Sequence, residues 1–523
     1  MADSNKFKIT IDSIAGGQSI YEFMPSKGQF SSSYGVDIKP DGTFGPSPRW
    51  RFSGATLNGD ALWMKAEPKS GSGTVYVYDN AGSVYSLTQS VISGVGDLND
   101  GGTAEGNGME YYDNYMYFAR STTIARYGPL NGTPSFTDDY WVTTLSKTAL
   151  TNTAYPTYGT AATIGVPNHF LKRGKNGKLY IADVVGNQGT IHYIATTKTT
   201  VEGDTNNGST YDALDLPYGH WPIAMENWNE YLVILCYAGA GTSIKLVFWD
   251  PTNTVTYDRI VDFEYPDSTA CGLKNINGEL FVVTATDVDG VGSTRITKYL
   301  GGYSFQQIAL YAGDTPLPGA IDGVLNRLFV GGHRTGTDIS GSPTGGAVYA
   351  LGTEKGGLND SLFTVGGVTC TTTTNTLVTA VNAETSYLIY GWTTGSVGAG
   401  NQGIDGANQA PDGADSVVHA CDIVSAPIIL GVPFKITKIT FSTDQAVTLP
   451  FRVGVWTDNG STSTNQFYRT VTSSDTDRIF YLLSNATGKK YFKVFFLWPS
   501  AQSNSTHGKI NMPITIEGEL YPE

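Results

Sequence analysis

One pattern recurs along this chain: a short apolar run, a polar or glycine-rich turn, and a second apolar run. The clearest copy is GKNGKLYIADVVGNQGTIHYIAT, from Gly174 onward, where Asn176-Gly177 opens the unit. Leu179–Ile181 and Ile191–Ile194 then flank a loop from Gly186 to Gly189. Turn residues between two alternating apolar runs predict an antiparallel hairpin. Six further stretches have the same form. They are Val75–Tyr78 with Val84–Leu87, Tyr115–Ala119 with Ile124–Tyr127, and Tyr231–Cys236 with Ile244–Trp249. Leu280–Thr284 with Arg295–Tyr299, Leu328–Val330 with Ala347–Leu351, and Leu377–Val381 with Tyr387–Tyr390 complete the set. A hairpin repeating roughly every 40–50 residues marks the four-stranded blade of a β-propeller. One blade cannot bury both faces of its sheet, whereas a closed ring of blades can. The expected fold is therefore all-β, with a β-propeller of about seven blades.

At 523 residues the chain exceeds a single core, so two or three domains are expected. Charged residues make up only 15%, against 63 glycines and 31 tyrosines. This is a loop-rich, neutral-polar surface of the kind met outside cells and on virus particles. The formal net charge is −14. From Gly395 onward there are 9 Lys/Arg and 11 Asp/Glu, so most of the excess lies earlier. An acidic chain without a Lys/Arg run repels phosphate backbones, which argues against a nucleic-acid partner. No apolar run approaches membrane-spanning length, so no membrane insertion is expected. MADSNKFKITID has no apolar core segment and does not read as a signal peptide. Cys236, Cys271, Cys370 and Cys421 are scattered without C-x-x-C, so four free thiols are expected. A protein made in a host cytoplasm and carried in an assembled particle would combine these features.

The domain reading follows the changes in composition. Residues 1–70 hold a strand at Phe7–Ile11, a turn-rich stretch, and further strands at Trp50–Phe52 and Ala61–Met64. They are expected to form an arm that supplies outer strands of the first blade. Residues 71–394 are the propeller. Residues 395–425, rich in Gly, Asn and Asp, read as a linker. Residues 426–523 carry strands at Ile428–Leu430, Phe434–Phe441, Leu449–Trp456, Gln466–Val471, Arg478–Leu483, Tyr491–Trp498 and Ile514–Leu520. That density predicts a jelly-roll-like β-sandwich.

Motifs of chemistry are sparse. His169, His192, His220, His333, His419 and His507 do not fall at metal-ligand spacing, and H-E-x-x-H is absent. There is no nucleophile elbow, P-loop or dinucleotide fingerprint, and no S-x-D-x-G-x-x-W turn of the propeller sialidases. Carboxylates that meet only in space stay open as a glycosidase pair. The metal candidate is Asp287 and Asp289 before Gly290, where alternate carboxylates and a glycine turn could wrap calcium. The loop Gly96–Gly102 is a weaker case, and a plain polar hairpin explains both. No catalytic residue and no other cofactor is indicated. Trp221 beside His220, and Trp141 after Asp138–Tyr140, could stack on sugars, whereas Trp249, Trp392, Trp456 and Trp498 end apolar strands and read as packing. The loops Gly94–Gly108, Pro129–Thr163 and Lys198–His220 are where a rigid scaffold would place recognition.

GKNGKLYIADVVGNQGTIHYI resembles a blade of the NHL and related propellers, over about residues 70–394. The opening SIAGGQSIYEFMPSKGQFSSSYGVDIKPDGTFG resembles the start of phage virion proteins that carry a propeller. APIILGVPFKITKITF and VGVWTDNG resemble the sandwich domain such proteins append. The resemblance implies a structural or adsorption protein of a tailed-phage particle, in the tail, collar or fibre. It would be present in several copies and bind other virion proteins or a host surface glycan. It transfers no site residue. The alternative is a carbohydrate-active propeller, glycosidase or lectin, displayed or secreted.

Overall fold

The structure is a computed structural model. It describes residues 5–18, 28–46, 49–68, 74–88, 91–98, 107–120, 123–141, 169–185, 187–195, 213–238, 243–252, 256–267, 269–288, 291–313, 315–324, 327–333, 345–353, 357–367, 376–383, 387–394, 401–408, 417–418, 421–443, 450–458, 466–472, 479–481, 486–498, 502–503 and 509–521. The described residues are almost entirely strand, with a single 3-10 turn at Pro318–Ala320. The chain divides into two units, one made of residues 51–335 and 370–405, the other of 1–50, 336–369 and 406–523.

The first unit is the propeller. Five complete blades follow one another as four-stranded antiparallel meanders, with innermost strands Ala61–Ala66, Gly108–Tyr112, Leu171–Arg173, His220–Trp228 and Thr269–Ile276. The sixth contributes Ile321–Val324 and Arg327–His333 to this unit. The seventh begins with Leu377–Ala383 and Tyr387–Thr393. The hairpins read from the sequence are the second and third strands of blades one to five. In the seventh blade the same pattern is the first and second strand, because this innermost strand is as apolar as a second strand elsewhere.

Local chemistry sets the turns. The link from innermost to second strand is two residues long in the second and fifth blades, and both residues are left-handed: Asp113 and Asn114 (φ 46° and 66°), Asn277 and Gly278 (φ 54° and 88°). Asn, Asp and Gly tolerate that region, and the resulting twist matches that of the strands. Apolar layers then fill the space between neighbouring blades. Tyr78, Met109 and Phe118 pack between the first and second, and Tyr112, Ala119, Leu179 and Ile181 between the second and third. A larger layer around Tyr180, Ile234, Leu246, Trp249 and Val282 joins the third to fifth.

The ring closes on itself through hydrogen bonds between early and late residues. The Thr379 hydroxyl donates to the Ala61 carbonyl (2.5 Å), Gln402 Nε2 to the Leu57 carbonyl (2.5 Å), and the Phe52 N–H to the Ile404 carbonyl (3.0 Å). Ser53–Gly54 continues in parallel beside Val91–Asp97 of the first blade.

The second unit holds two sheets. In one, Val36–Ile38, Phe44–Pro46, Ile510–Leu520, Phe434–Thr443 and Ile479–Tyr481 lie in order, with Lys6–Ile11 also on Ile510–Leu520. In the other the order is Phe30–Tyr34, Cys421–Ser425, Tyr491–Trp498, Phe451–Thr457 and Gln466–Val471. Phe44 meets Phe496 edge-on at 5.2 Å and Phe441 meets Phe496 at 5.3 Å, so aromatic rings from both sheets share one core. Gly346–Thr353 and Gly357–Gly367 form a further hairpin in this unit.

The boundaries therefore differ from those read along the chain. Lys6–Ile11, Phe30–Tyr34, Val36–Ile38 and Phe44–Pro46 are sandwich strands and not an arm of the first blade, and the supposed linker contains Gln402–Asn408 and the sandwich strand Cys421–Ser425. The reason is pairing across the whole sequence: Lys6 faces Glu519 and Ile11 faces Ile514. A local pattern cannot show such a partner.

Candidate functional site

The propeller's innermost strands line one central cavity of about 70 Å³. Each of the first six brings a large apolar residue followed by a charged one: Met64-Lys65, Met109-Glu110, Leu171-Lys172, Met225-Glu226, Leu273-Lys274 and Ile321-Asp322. Around the cavity the charges therefore alternate in sign from blade to blade. Lys65 Nζ lies 3.4 Å from Glu110, Lys172 Nζ 2.9 Å from Glu226, and Lys274 Nζ 2.5 Å from Asp322. These six side chains are between 9% and 30% exposed, largely buried but with some surface left toward the cavity. The seventh blade contributes Val381 at the cavity wall.

Carboxylates in this collar also accept from the backbone. Glu110 takes the Tyr111 N–H (3.1 Å), Glu226 the Asn227 N–H (2.8 Å), and Asp322 the Ala383 N–H (2.9 Å). Burial pulls against the charge on Asp322, yet Lys274, Lys65 and that backbone donor together hold its carboxyl below the usual range. Burial likewise opposes the Lys274 ammonium, and Asp322, Glu226 and Glu110 more than offset it, so its pKa is raised. The collar behaves as one electrostatic ring with three positive and three negative members.

The turn Pro318–Ala320 is buried just before the sixth innermost strand. A Cβ on Gly319 would lie 1.8 Å from the Leu62 carbonyl oxygen and 3.4 Å from the Trp63 ring, so only glycine allows this approach. The turn thus reaches back to the first blade and forms a floor with half-buried Trp63, whose ring meets Phe170 edge-on at 5.9 Å. Farther from the floor, Asn227 Nδ2 donates to the Arg173 carbonyl (2.8 Å) and Asn275 Nδ2 to the Asn227 carbonyl (2.7 Å), linking the third, fourth and fifth blades.

Outside the cavity, buried polar groups pin individual blades. In the third, Asp183 lies between two imidazoles, 3.5 Å from His169 Nδ1 and 3.4 Å from His192 Nε2. In the fifth, Asp267 accepts from Arg295 Nε (2.8 Å) and the Thr284 hydroxyl (2.5 Å). In the first, fully buried Asp79 accepts from the N–H groups of Gly59 (2.9 Å), Ala81 (3.0 Å) and Ser83 (2.7 Å). Burial nevertheless outweighs these donors and pushes its pKa up to about 6.

The residues singled out from sequence are placed as follows. Asp287 is the penultimate residue of the strand Glu279–Val288 and pairs with Gly292, whereas Asp289 falls outside the described residues. Among the described residues no group of three or more His, Cys, Asp or Glu could hold a metal ion. The Trp221 indole donates to Asn187 Oδ1 (2.8 Å), and Trp249, Trp392 and Trp498 are buried packing residues. The Trp141 side chain, His419 and His507 lie outside the described residues, as does Cys370. Cys236, Cys271 and Cys421 are buried free thiols. Among the described residues no helix is long and apolar enough to cross a membrane. The charged collar was missed in the sequence. Its signal was present: in the first six blades an apolar–charged pair stands before the hairpin's first strand.

No family model matches the sequence, and no curated protein matches it. Solved structures resemble the chain at low identity. The computationally designed Ika8 protein covers 68% of this chain and 99% of its own, at 12% identity and TM-score 0.38. YCF48 bound to a D1 peptide covers 72% and 97%, at 8% identity and TM-score 0.40. An exo-β-1,3-galactanase from Phanerochaete chrysosporium covers 95% and 99%, at 9% identity and TM-score 0.29.

Proposed function

We propose that this protein is a non-enzymatic structural or adsorption component of a virus particle, a tailed-phage virion protein that binds neighbouring virion proteins or a host surface glycan. The observation that supports binding over catalysis is the collar. Its carboxylates Glu110, Glu226 and Asp322 are each matched by a lysine, and Asp322 is held ionised. Glycoside hydrolysis needs one carboxyl kept protonated as an acid beside a second as base or nucleophile. Asp322, held ionised beside Lys274, is unsuited to the acid's part. The charge-poor, tyrosine- and glycine-rich composition and the likeness of the opening segment to phage virion proteins support the particle setting.

Two measurements test this reading. Purified particles should contain the protein in fixed stoichiometry, and the isolated protein should release no sugar from host envelope material. Absence from particles refutes the structural role. Sugar release that is lost on Glu110→Gln or Glu226→Gln establishes the glycosidase reading instead, because those carboxylates line the cavity.

A further inference from the structure

We propose that the central cavity takes the leading edge of the terminal residue of a neutral glycan, its C–H surface toward Trp63 and its hydroxyls against the collar. This deepens the adsorption reading and rests on its glycan-binding branch.

Sugar and cavity present matching surfaces. A pyranose has an apolar C–H face and a rim of hydroxyls pointing outward in the ring plane. The cavity has the complementary order. Its floor is apolar, built from Trp63, Phe170 and the Pro318-Gly319 turn. Its wall alternates ammonium donors (Lys65, Lys172, Lys274) with carboxylate acceptors (Glu110, Glu226, Asp322).

A hydroxyl donates and accepts at once, so it can bridge neighbouring members of such a wall. Each ammonium carries three donors and each carboxylate about four acceptor sites, more than one ion pair and one backbone bond engage.

Net charge decides which ligand fits. Three lysines balance three acids, so the collar offers no net charge to favour an anion or a cation, and a neutral polyol needs none. Size decides the binding mode. About 70 Å³ accommodates several waters or the leading edge of one sugar, too little for a run of sugar residues. The ligand therefore enters by its end.

The test uses the full chain and saturation-transfer NMR with the methyl glycosides of glucose, galactose and mannose. N-acetylneuraminate, glucosamine and glycine serve as anionic, cationic and zwitterionic comparisons. At least one neutral glycoside is expected to bind with a Kd on the order of millimolar, and the charged and zwitterionic probes at least about tenfold more weakly. The double variant Lys172→Met/Glu226→Gln removes both members of one pair and should weaken the neutral sugar at least about tenfold. Should that variant not fold, Lys65→Met, at the most exposed collar position, replaces it with the same expectation. A failure of all three neutral glycosides to bind overturns the inference. So does unchanged affinity in a folded collar variant, or preferential binding of a charged or zwitterionic probe. Particle composition separates the two proposals. Protein found in particles without sugar binding overturns the pocket alone, and sugar binding by a protein missing from particles overturns the virion role alone.

Discussion

The Thr379 hydroxyl donates a 2.5 Å hydrogen bond to the carbonyl oxygen of Ala61, joining the innermost strands of the seventh and first blades across 318 residues of sequence. Both residues are fully buried, so neither group has water as a substitute. Thr379→Val keeps the shape and leaves that carbonyl without its hydroxyl donor. We expect a loss of about 1–3 kcal/mol. Urea unfolding of the variant checks it, and a midpoint unchanged from wild type would show that closure does not lean on this bond.

Asp79 makes a prediction about pH. Its folded pKa of about 6 stands above the ordinary 3.8, because burial outweighs its hydrogen bonds. A carboxyl with a raised folded pKa stabilises the fold at low pH, and that contribution is lost as pH rises through the folded value. Between pH 7.5 and 5 the contribution should grow by on the order of 1 kcal/mol. The stability of wild type relative to Asp79→Asn should therefore shift toward wild type on acidification over that window. A gap that stays constant, or moves the other way, contradicts the assignment.

Lys274 and Asp322 test the collar as a structural element. Lys274→Met leaves Asp322 facing the cavity without its nearest cation. The expected loss is about 2 kcal/mol, less than for a fully buried pair because both side chains keep some exposure. The double variant Lys274→Met/Asp322→Leu should recover most of it, since apolar replacement of both partners removes the stranded charge. A double variant no more stable than the single one would argue that the pair matters through other contacts.

The thiols of Cys236 and Cys271 sit at 0% exposure, where burial raises their pKa well above the ordinary range. Cys421 is buried as well. All three should resist a thiolate-selective reagent in the native protein and react fully once it is unfolded. Rapid native labelling at any of these positions, mapped by mass spectrometry, would show that its surroundings open.

The repeated hairpins were legible because their cause is local. Asn176-Gly177, Asp113-Asn114 and Asn277-Gly278 turn the chain wherever they stand, and alternating apolar residues such as Leu179 and Ile181 make a strand that needs a covered face. Strands of the sandwich from Phe434 to Leu520 were legible for the same reason. Partners distant in sequence were not. Lys6–Ile11 looks like any edge strand until Ile510–Leu520 pairs with it, and Ser53–Gly54 has no strand signal of its own apart from its neighbour Val91–Asp97. The collar lies between these cases. Lys65, Glu110, Lys172, Glu226, Lys274 and Asp322 each follow an apolar residue in plain view, but charge next to an apolar residue is ordinary on any half-exposed strand. Only the ring sets six such positions around one axis and floors them with Gly319 against Leu62. Turn chemistry and strand alternation act over a few residues, so the sequence by itself determined the hairpins. Ring closure and the sandwich's outer strands depend on contacts hundreds of residues apart, and the charged cavity on pairs one blade apart, and those exist only once the chain has folded.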